Sequence, residues 1–410
     1  MSMPGQHECR VAVEALRAGV PNQAAIRILG SVERAIEGRF TRGLESVWGD
    51  ASQPGLVFAG GFGSGKSHLL HVLREEALRR NFVVSWVTVS KETPLFQPGP
   101  VFAAAMRSAV APGSPDEAVT KVLAEVQRRA GAVQALELWA STEEADLFPI
   151  FAAVTHLLAR DLTPELVHGI ESFLSGGKPP TAVVRRRLAE MGLRGMFDLV
   201  GMKAARLQEQ RPRFMARLIK EAGFAGWCVL IDEVELIGRY GPMQRANAYG
   251  ELARWLALAD DARIAGLHAA CAITDDFTSS VIDGKQDEEK LPERLRLKGA
   301  DGQAALAVLA MAAIRTARTL APPRAEDLLR HADTLRRCYA EAYRWPAPAP
   351  TMAEREASTT MRHHVRGWIT EWDMLRLQGA RLGVDVSAMV SDYSESADLS
   401  APPADEPADE

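Results

Sequence analysis

Apolar and polar positions along this chain follow two rhythms. Short solid apolar runs occur at Leu56–Ala59, Phe82–Val89, Cys228–Ile231 and Ile264–Ile273. Runs of that length predict strands buried on both faces of a parallel sheet. Elsewhere apolar residues recur at helical spacing, predicting helices over 68–78, 243–259, 303–343 and 360–382. Residues 1–50 also read as helical. Val11, Ala15 and Leu16 form a stripe, Gly19-Val20-Pro21-Asn22 stops it, a second helix runs from Gln23 to Glu37, and a third precedes Trp48. Between 100 and 226 the chain is rich in Ala, Leu, Arg and Glu, with breaks at 111–113, 161–164 and 175–180. That stretch is too long for one crossover between neighbouring strands, so it reads as an insertion of several helices.

The first apolar run leads into Gly60-Gly61-Phe62-Gly63-Ser64-Gly65-Lys66-Ser67, and a predicted helix follows from His68. Strand, then glycine, four residues and Gly-Lys-Ser, then helix, is the P-loop pattern in its expected context. Glycines let backbone N–H groups curl around phosphate oxygens, and the helix points its positive end there. Lys66 can then neutralise the β and γ phosphates, and the Ser67 hydroxyl can hold Mg²⁺. The candidate nucleotide ligands are Gly60, Gly61, Phe62, Gly63, Ser64, Gly65, Lys66, Ser67 and His68. The bland alternative is a chance glycine-rich turn.

The run Cys228–Ile231 ends in Asp232-Glu233. Ligand sites of open α/β sheets lie at the carboxyl ends of strands. Asp232 is therefore the candidate to assist Mg²⁺ binding, and Glu233 the candidate to orient or deprotonate an attacking water. An acidic strand cap is the structural alternative. The run ending at Ile273 meets Thr274-Asp275-Asp276. Thr274 is the candidate to sense the γ-phosphate, with Asp275 second; a turn or helix cap would use the same residue types. In Leu291–Lys298, Arg294 and Arg296 are candidates to act on phosphate in cis or across a subunit boundary. A surface salt bridge is the commoner fate of an arginine. Arg362 or Arg366 could reach the nucleotide from a lid. Adjacent His363 and His364 lack chelating spacing and read as surface residues, and Arg185-Arg186-Arg187 reads as a solvated helix face.

Composition narrows little. The chain has 410 residues, 47% hydrophobic and 25% charged, which fits a soluble globular protein of two or three domains. A net charge of −5 gives no global case for nucleic-acid binding, though a local basic face or a channel in an oligomer stays open. Cys9, Cys228, Cys271 and Cys338 lie far apart, against a disulfide framework or zinc site and in favour of a reducing cytoplasm. No apolar run reaches the ~20 residues that span a bilayer. The N-terminus lacks the apolar segment of a signal peptide.

The expected class is α/β, a P-loop NTPase with a parallel-sheet core, a large helical insertion and a helical C-terminal lid. Its divisions are an arm (1–50), a core (51–99 and 227–300), the insertion (100–226), the lid (301–390) and an acidic tail (391–410). The tail should be disordered. Trp345–Pro350 reads as a rigid, polyproline-like linker.

Several stretches together resemble the ATP-binding BrxD-like proteins of bacterial BREX phage-defence systems. They are Glu14–Asn22, Gly60–Leu70, Gly226–Ile237, Arg245–Leu252, Leu291–Leu295 and Met361–Asp373. The resemblance covers nearly the whole chain except the tail. It implies an AAA-like ATPase of the origin-recognition and helicase-loader type. Lys66, Ser67, Asp232 and Glu233 would take the Walker roles, Thr274 the first sensor, Arg294 the arginine finger and Arg362 the second sensor. It also implies ATP and Mg²⁺ as cofactors, other defence proteins including a helicase as partners, and action on DNA; a homo-oligomer is the arrangement in which an arginine would act across a subunit boundary. Two other functions compete with hydrolysis: an ATP-binding scaffold that turns over little, and a small-molecule kinase. Glu233 beside Asp232 favours the hydrolase.

Overall fold

Parallel pairing brings the ends of the apolar runs to one place. The computed structural model describes residues 5–19, 22–49, 51, 53–114, 118–160, 163–350, 360–379, 393 and 396. Its sheet contains β1 (Leu56–Ala59), β2 (Phe82–Thr88), β3 (Gly226–Asp232), β4 (Leu267–Ile273) and β5 (Arg318–Thr319). The order is β2-β3-β4-β1-β5, and every neighbouring pair is parallel. Ala59 lies opposite Ile273, and Thr88 opposite Asp232. The loop after β1, the acids after β3 and Thr274 after β4 therefore emerge at the same edge. Because β4 runs between β3 and β1, Thr274 lies between the acids and the glycine loop.

Alternate strand residues enter two different cores. Val57, Val83, Val229 and Ile231 face one side, whereas Phe58, Phe82, Cys228 and Leu230 face the other. Both sides are covered, which is why the strands read as solid apolar runs. The chain opens with α1 (Gln6–Ala18), α2 (Gln23–Leu29) and α3 (Arg34–Trp48). Then α4 (Lys66–Arg79) follows the glycine loop, and α3 and α4 together cover the second face. From Pro98 to Glu221 run α5 (Pro98–Arg107), α6 (Ala118–Arg128), α7 (Ala132–Ala140), α8 (Pro149–Leu158), α9 (Pro164–Leu174), α10 (Thr181–Glu190) and α11 (Ala204–Glu221). They share one continuous core with the first face of the sheet. Within it Phe151 packs against Phe173 and Phe214, with ring centroids 5.2 and 4.8 Å away. The same core takes in α12 (Pro242–Trp255), α13 (Asp287–Arg296) and α14 (Asp301–Arg315).

A third core joins the first helix to the last two described helices. Val13 and Leu16 of α1 pack with Leu335 and Tyr339 of α15 (Ala325–Tyr343) and with Trp368 and Trp372 of α16 (Met361–Gln378). Arg17 fixes this junction by two hydrogen bonds to Asp373, each 2.9 Å, and Tyr339 adds a third at 2.7 Å.

Several elements differ from the sequence reading. The helix expected over 23–37 is two helices, because Gly30 takes a φ of 64° that ends α2. The helix expected over 303–343 is interrupted by β5, whose two residues extend the sheet beside Phe58 and Ala59. The fourth strand starts at Leu267, after Gly266 turns the chain with φ 86°. Trp345–Pro350 is no spacer: Trp372 donates to the Pro348 carbonyl at 3.0 Å, and Trp345 packs edge-on against Tyr339. His364 is buried rather than on the surface, since it lies one turn before Trp368 on the face that enters the third core. The Arg185–Arg187 run does lie on an outer helix face, bonding Leu199, Glu165 and Glu190. Of the tail at 391–410, only Tyr393 and Ser396 are among the described residues; the rest, and 351–359 and 380–390, lie outside them.

Candidate nucleotide site

The glycine loop is shaped by backbone angles that side chains resist. Gly63 and Gly65 have φ of 77° and 106°. An L-residue there would cost about 1–2 kcal/mol. Gly60 is constrained by space instead: a Cβ would sit 2.4 Å from Ser64 Oγ. α4 starts at Lys66, immediately after Gly65, so its unsatisfied first-turn N–H groups end at the loop. Lys66 is buried; its ammonium donates to the Gly60 carbonyl at 3.0 Å and the Gly61 carbonyl at 3.4 Å. Ser64 Oγ is buried without a hydrogen-bond partner among the described residues. Leaving such a hydroxyl unpaired costs about 1–3 kcal/mol, which a phosphate oxygen would offset.

The acids face this loop. Asp232 is buried, and its Oδ1 accepts the Glu233 N–H at 3.0 Å. Glu233 adopts φ 59°, ψ 32°, a left-handed conformation that glutamate rarely takes. Strain of this kind, of order 1–3 kcal/mol, concentrates at functional sites. Burial, reinforced by the Asp232 charge, raises the Glu233 pKa against the pull of Lys66 and Arg362.

Glu235 was missed by sequence reasoning. It lies in the 3-10 turn Val234–Arg239, with Oε1 3.6 Å from Lys66 Nζ. Burial pushes its carboxyl up to about 7, opposed by Lys66, and its Oε2 has no partner among the described residues. The available signal was a lone acid among Val234, Leu236 and Ile237.

Thr274 is buried at the end of β4, and its hydroxyl is hydrogen-bonded to that of Tyr393. Tyr393 also donates to Asp276 Oδ1 at 2.8 Å and receives Lys285 on its carbonyl at 3.0 Å. Asp275, the second candidate, is exposed beside Gly61. Arg362, near the start of α16, stands over the Phe62 ring, 5.6 Å from its centroid. Arg366 is exposed one turn on. Arg294 and Arg296 lie exposed on α13, and neither lines the clefts described next.

Two clefts meet at Ser67 and Arg362. The open one also holds Asp232, with His71 stacked on Trp86 at 4.2 Å. Ser67 and Asp232 thus supply a hydroxyl and a carboxylate to one space, a donor set that suits Mg²⁺. The other cleft is narrower and mostly apolar. Its walls come from α1 and α2 and the turn after α2 (Leu16, Leu29, Val32), from α4 (Leu69), from the residue after β5 (Leu320) and from α16 (Val365). An apolar cleft beside a phosphate loop fits the base and sugar of a nucleotide. His68 also lines this cleft and ties α4 to the turn after α2, with Nε2 2.6 Å from the Gly30 carbonyl. Burial lowers the His68 pKa, opposed by the Gly30 hydrogen bond. His331 lines the same cleft with its ring buried, and burial, with Arg330 and His68 nearby, lowers its pKa against a backbone contact to Leu29.

The family model of the BREX system ATP-binding proteins BrxC/D matches residues 6–141 and 210–372. The chain belongs to this family. Every candidate residue above except Tyr393 falls within the matched BrxC/D segments, and the unmatched 142–209 contains α8, α9 and α10. No curated protein and no solved structure matches the chain. Among the described residues, no helix is long and apolar enough to cross a membrane.

Proposed function

We propose that this BrxC/D-family chain binds MgATP and hydrolyses it, using the nucleotide cycle to switch or drive a BREX defence assembly that acts on DNA. The observation that carries this reading is the convergence of Lys66, Ser67, Asp232, Glu233 and Thr274 at one edge of the sheet, beneath Arg362 of α16. Ser67 and Asp232 would hold Mg²⁺, whose charge screens the phosphate oxygens. Lys66 exchanges its carbonyl partners for the β and γ phosphates. The Gly63–Lys66 backbone binds and orients the chain of phosphates. Glu233 takes the proton of the attacking water; a carboxyl pKa raised by burial suits a general base. Thr274 holds that water or reads the γ-phosphate, and Arg362 carries the signal to α16.

Arg294, exposed on α13, acts on a neighbouring copy as the arginine finger of a homo-oligomer, with Arg296 as its alternate. The wider reading is an AAA-like ATPase in the cytoplasm, divided into arm, core, insertion, lid and tail, with a helicase among its partners.

One observation favours a second reading, an ATP-binding scaffold. The base cleft is walled by arm, core and lid, so a bound nucleotide would join all three without turnover. Both readings require the glycine loop. Lys66→Ala should abolish tight MgATP binding, by at least ~100-fold in Kd, because a buried charge-assisted contact to phosphate is lost. Isothermal titration checks this, and unchanged affinity would remove the nucleotide assignment.

A further inference from the structure

We infer that a cleft between α3 and β5 binds the phosphodiester backbone of a nucleic acid. Arg34, Arg39, Arg42 and Arg318 all line this open cleft. All four side chains are exposed. Among the described residues none of them meets a carboxylate at ion-pair distance. Arginines elsewhere commonly do: Arg17, Arg80, Arg206, Arg245, Arg254 and Arg315 are each paired with an acid. The four cations in one concavity repel one another, with only Arg318 partly offset by the nearby Glu33 carboxylate, in a chain whose net charge is −5. A cluster of this kind is the electrostatic footprint of a polyanion site.

The helix geometry gives the ligand a shape. Arg34, Gly38 and Arg42 are spaced four residues apart, so they form one stripe along α3. Arg34 and Arg42 stand about 12 Å apart along the axis. Over that distance one strand of a duplex carries roughly three to four phosphates. Gly38 lies between them in the cleft wall. A Cβ there would meet only Arg42 Nη1, at 3.9 Å, so packing does not require the glycine. Glycine weakens a helix interior, but it leaves the helix backbone bare for a close ligand. Gly43 on the same helix differs: a Cβ there would lie 2.3 Å from His268, so packing alone explains it. Arg318 faces the stripe from the sheet edge. Guanidinium groups suit phosphate because they can donate two hydrogen bonds to it.

The cleft is separate from the nucleotide site yet adjoins it. Glu33, next to Arg34, lines the nucleotide cleft and accepts the Ala321 N–H at 2.9 Å. The inference does not depend on nucleotide binding or hydrolysis.

The test uses the full chain without nucleotide and follows the anisotropy of fluorescent single-stranded DNA, duplex DNA and single-stranded RNA. Wild type should bind at least one of them, with log K falling against log salt at a slope of about −3 between ~50 and ~200 mM. Arg39→Ser with Arg42→Ser should weaken binding at least ~10-fold and flatten the slope by about 1.5, leaving MgATP affinity unchanged. Removing the same charge at Arg336 and Arg337 of α15 should change neither quantity. Should the double variant fail to fold, as judged by its melting curve, Arg318→Ser alone should flatten the slope by about 0.8. The site is refuted if wild type binds none of the three, or if these substitutions leave the slope intact. Binding of inorganic tripolyphosphate with no binding of any oligonucleotide would also overturn it, by assigning the cleft to a free phosphoanion.

Discussion

Glu235 keeps its proton to about pH 7 in the folded chain, whereas an unhindered glutamate releases it near 4.5. The folded state therefore binds this proton more tightly than the unfolded state. Its stabilising effect is complete below pH 4.5 and is lost as pH rises through about 7. Glu235→Gln, which copies the neutral acid, should flatten that dependence in nucleotide-free protein. At pH ~8 the variant should be up to about 3 kcal/mol more stable than wild type, with little difference at pH ~5. Urea titrations at the two pH values measure this, and parallel curves would contradict it. At this scale the glycine loop, Asp232 and Glu233 were legible, because motif chemistry is local in sequence. Glu235 was not, because only the turn after β3 folds it back onto Lys66. Tyr393 was not, because no sequence rule couples it to Thr274, 119 residues away.

Among the elements, α13 is held by a buried ion pair that sequence spacing did not reveal. Arg245 of α12 makes bonds of 2.9 and 2.8 Å to the two carboxylate oxygens of Asp287, and Tyr249 adds one of 3.1 Å. Both charges are almost fully buried. Breaking such a pair from one side leaves an uncompensated charge, so Asp287→Ala should cost about 3–5 kcal/mol. Replacing both partners, Arg245→Met with Asp287→Leu, should cost clearly less. Denaturant midpoints of the single and double variants decide it; equal losses would mean that the pair is not what anchors α13. The central strands were readable because burial on both faces makes them solidly apolar. β5 escaped notice because two exposed residues carry no periodicity; pairing with Phe58 and Ala59 alone defines it. Gly30 was the visible but unused sign that the second helix stops early.

At the scale of the whole molecule, α1 and α16 meet beside the nucleotide cleft. α1 packs on α15 and α16, and Arg17 clasps Asp373 across more than 350 residues of sequence. That pairing is non-local and left no trace in composition or spacing. Asp373→Ala touches neither the glycine loop nor the acids, yet it loosens the cleft wall. It should weaken MgATP binding about 3–10-fold, the equivalent of one partly exposed, bidentate pair of about 1 kcal/mol. A titration showing wild-type affinity would mean that the arm and lid do not contribute to the site.

The proposed hydrolysis requires Glu233 to activate water at a site that holds MgATP. Steady-state ATP hydrolysis by wild type and Glu233→Gln, each with and without single- and double-stranded DNA, tests it most directly. The account predicts that wild type turns over, and that the variant binds ATP but loses at least ~100-fold in rate, as expected when a general base is removed. Equal turnover by the two proteins, or a wild type that binds ATP and stays inert in every condition, would contradict it.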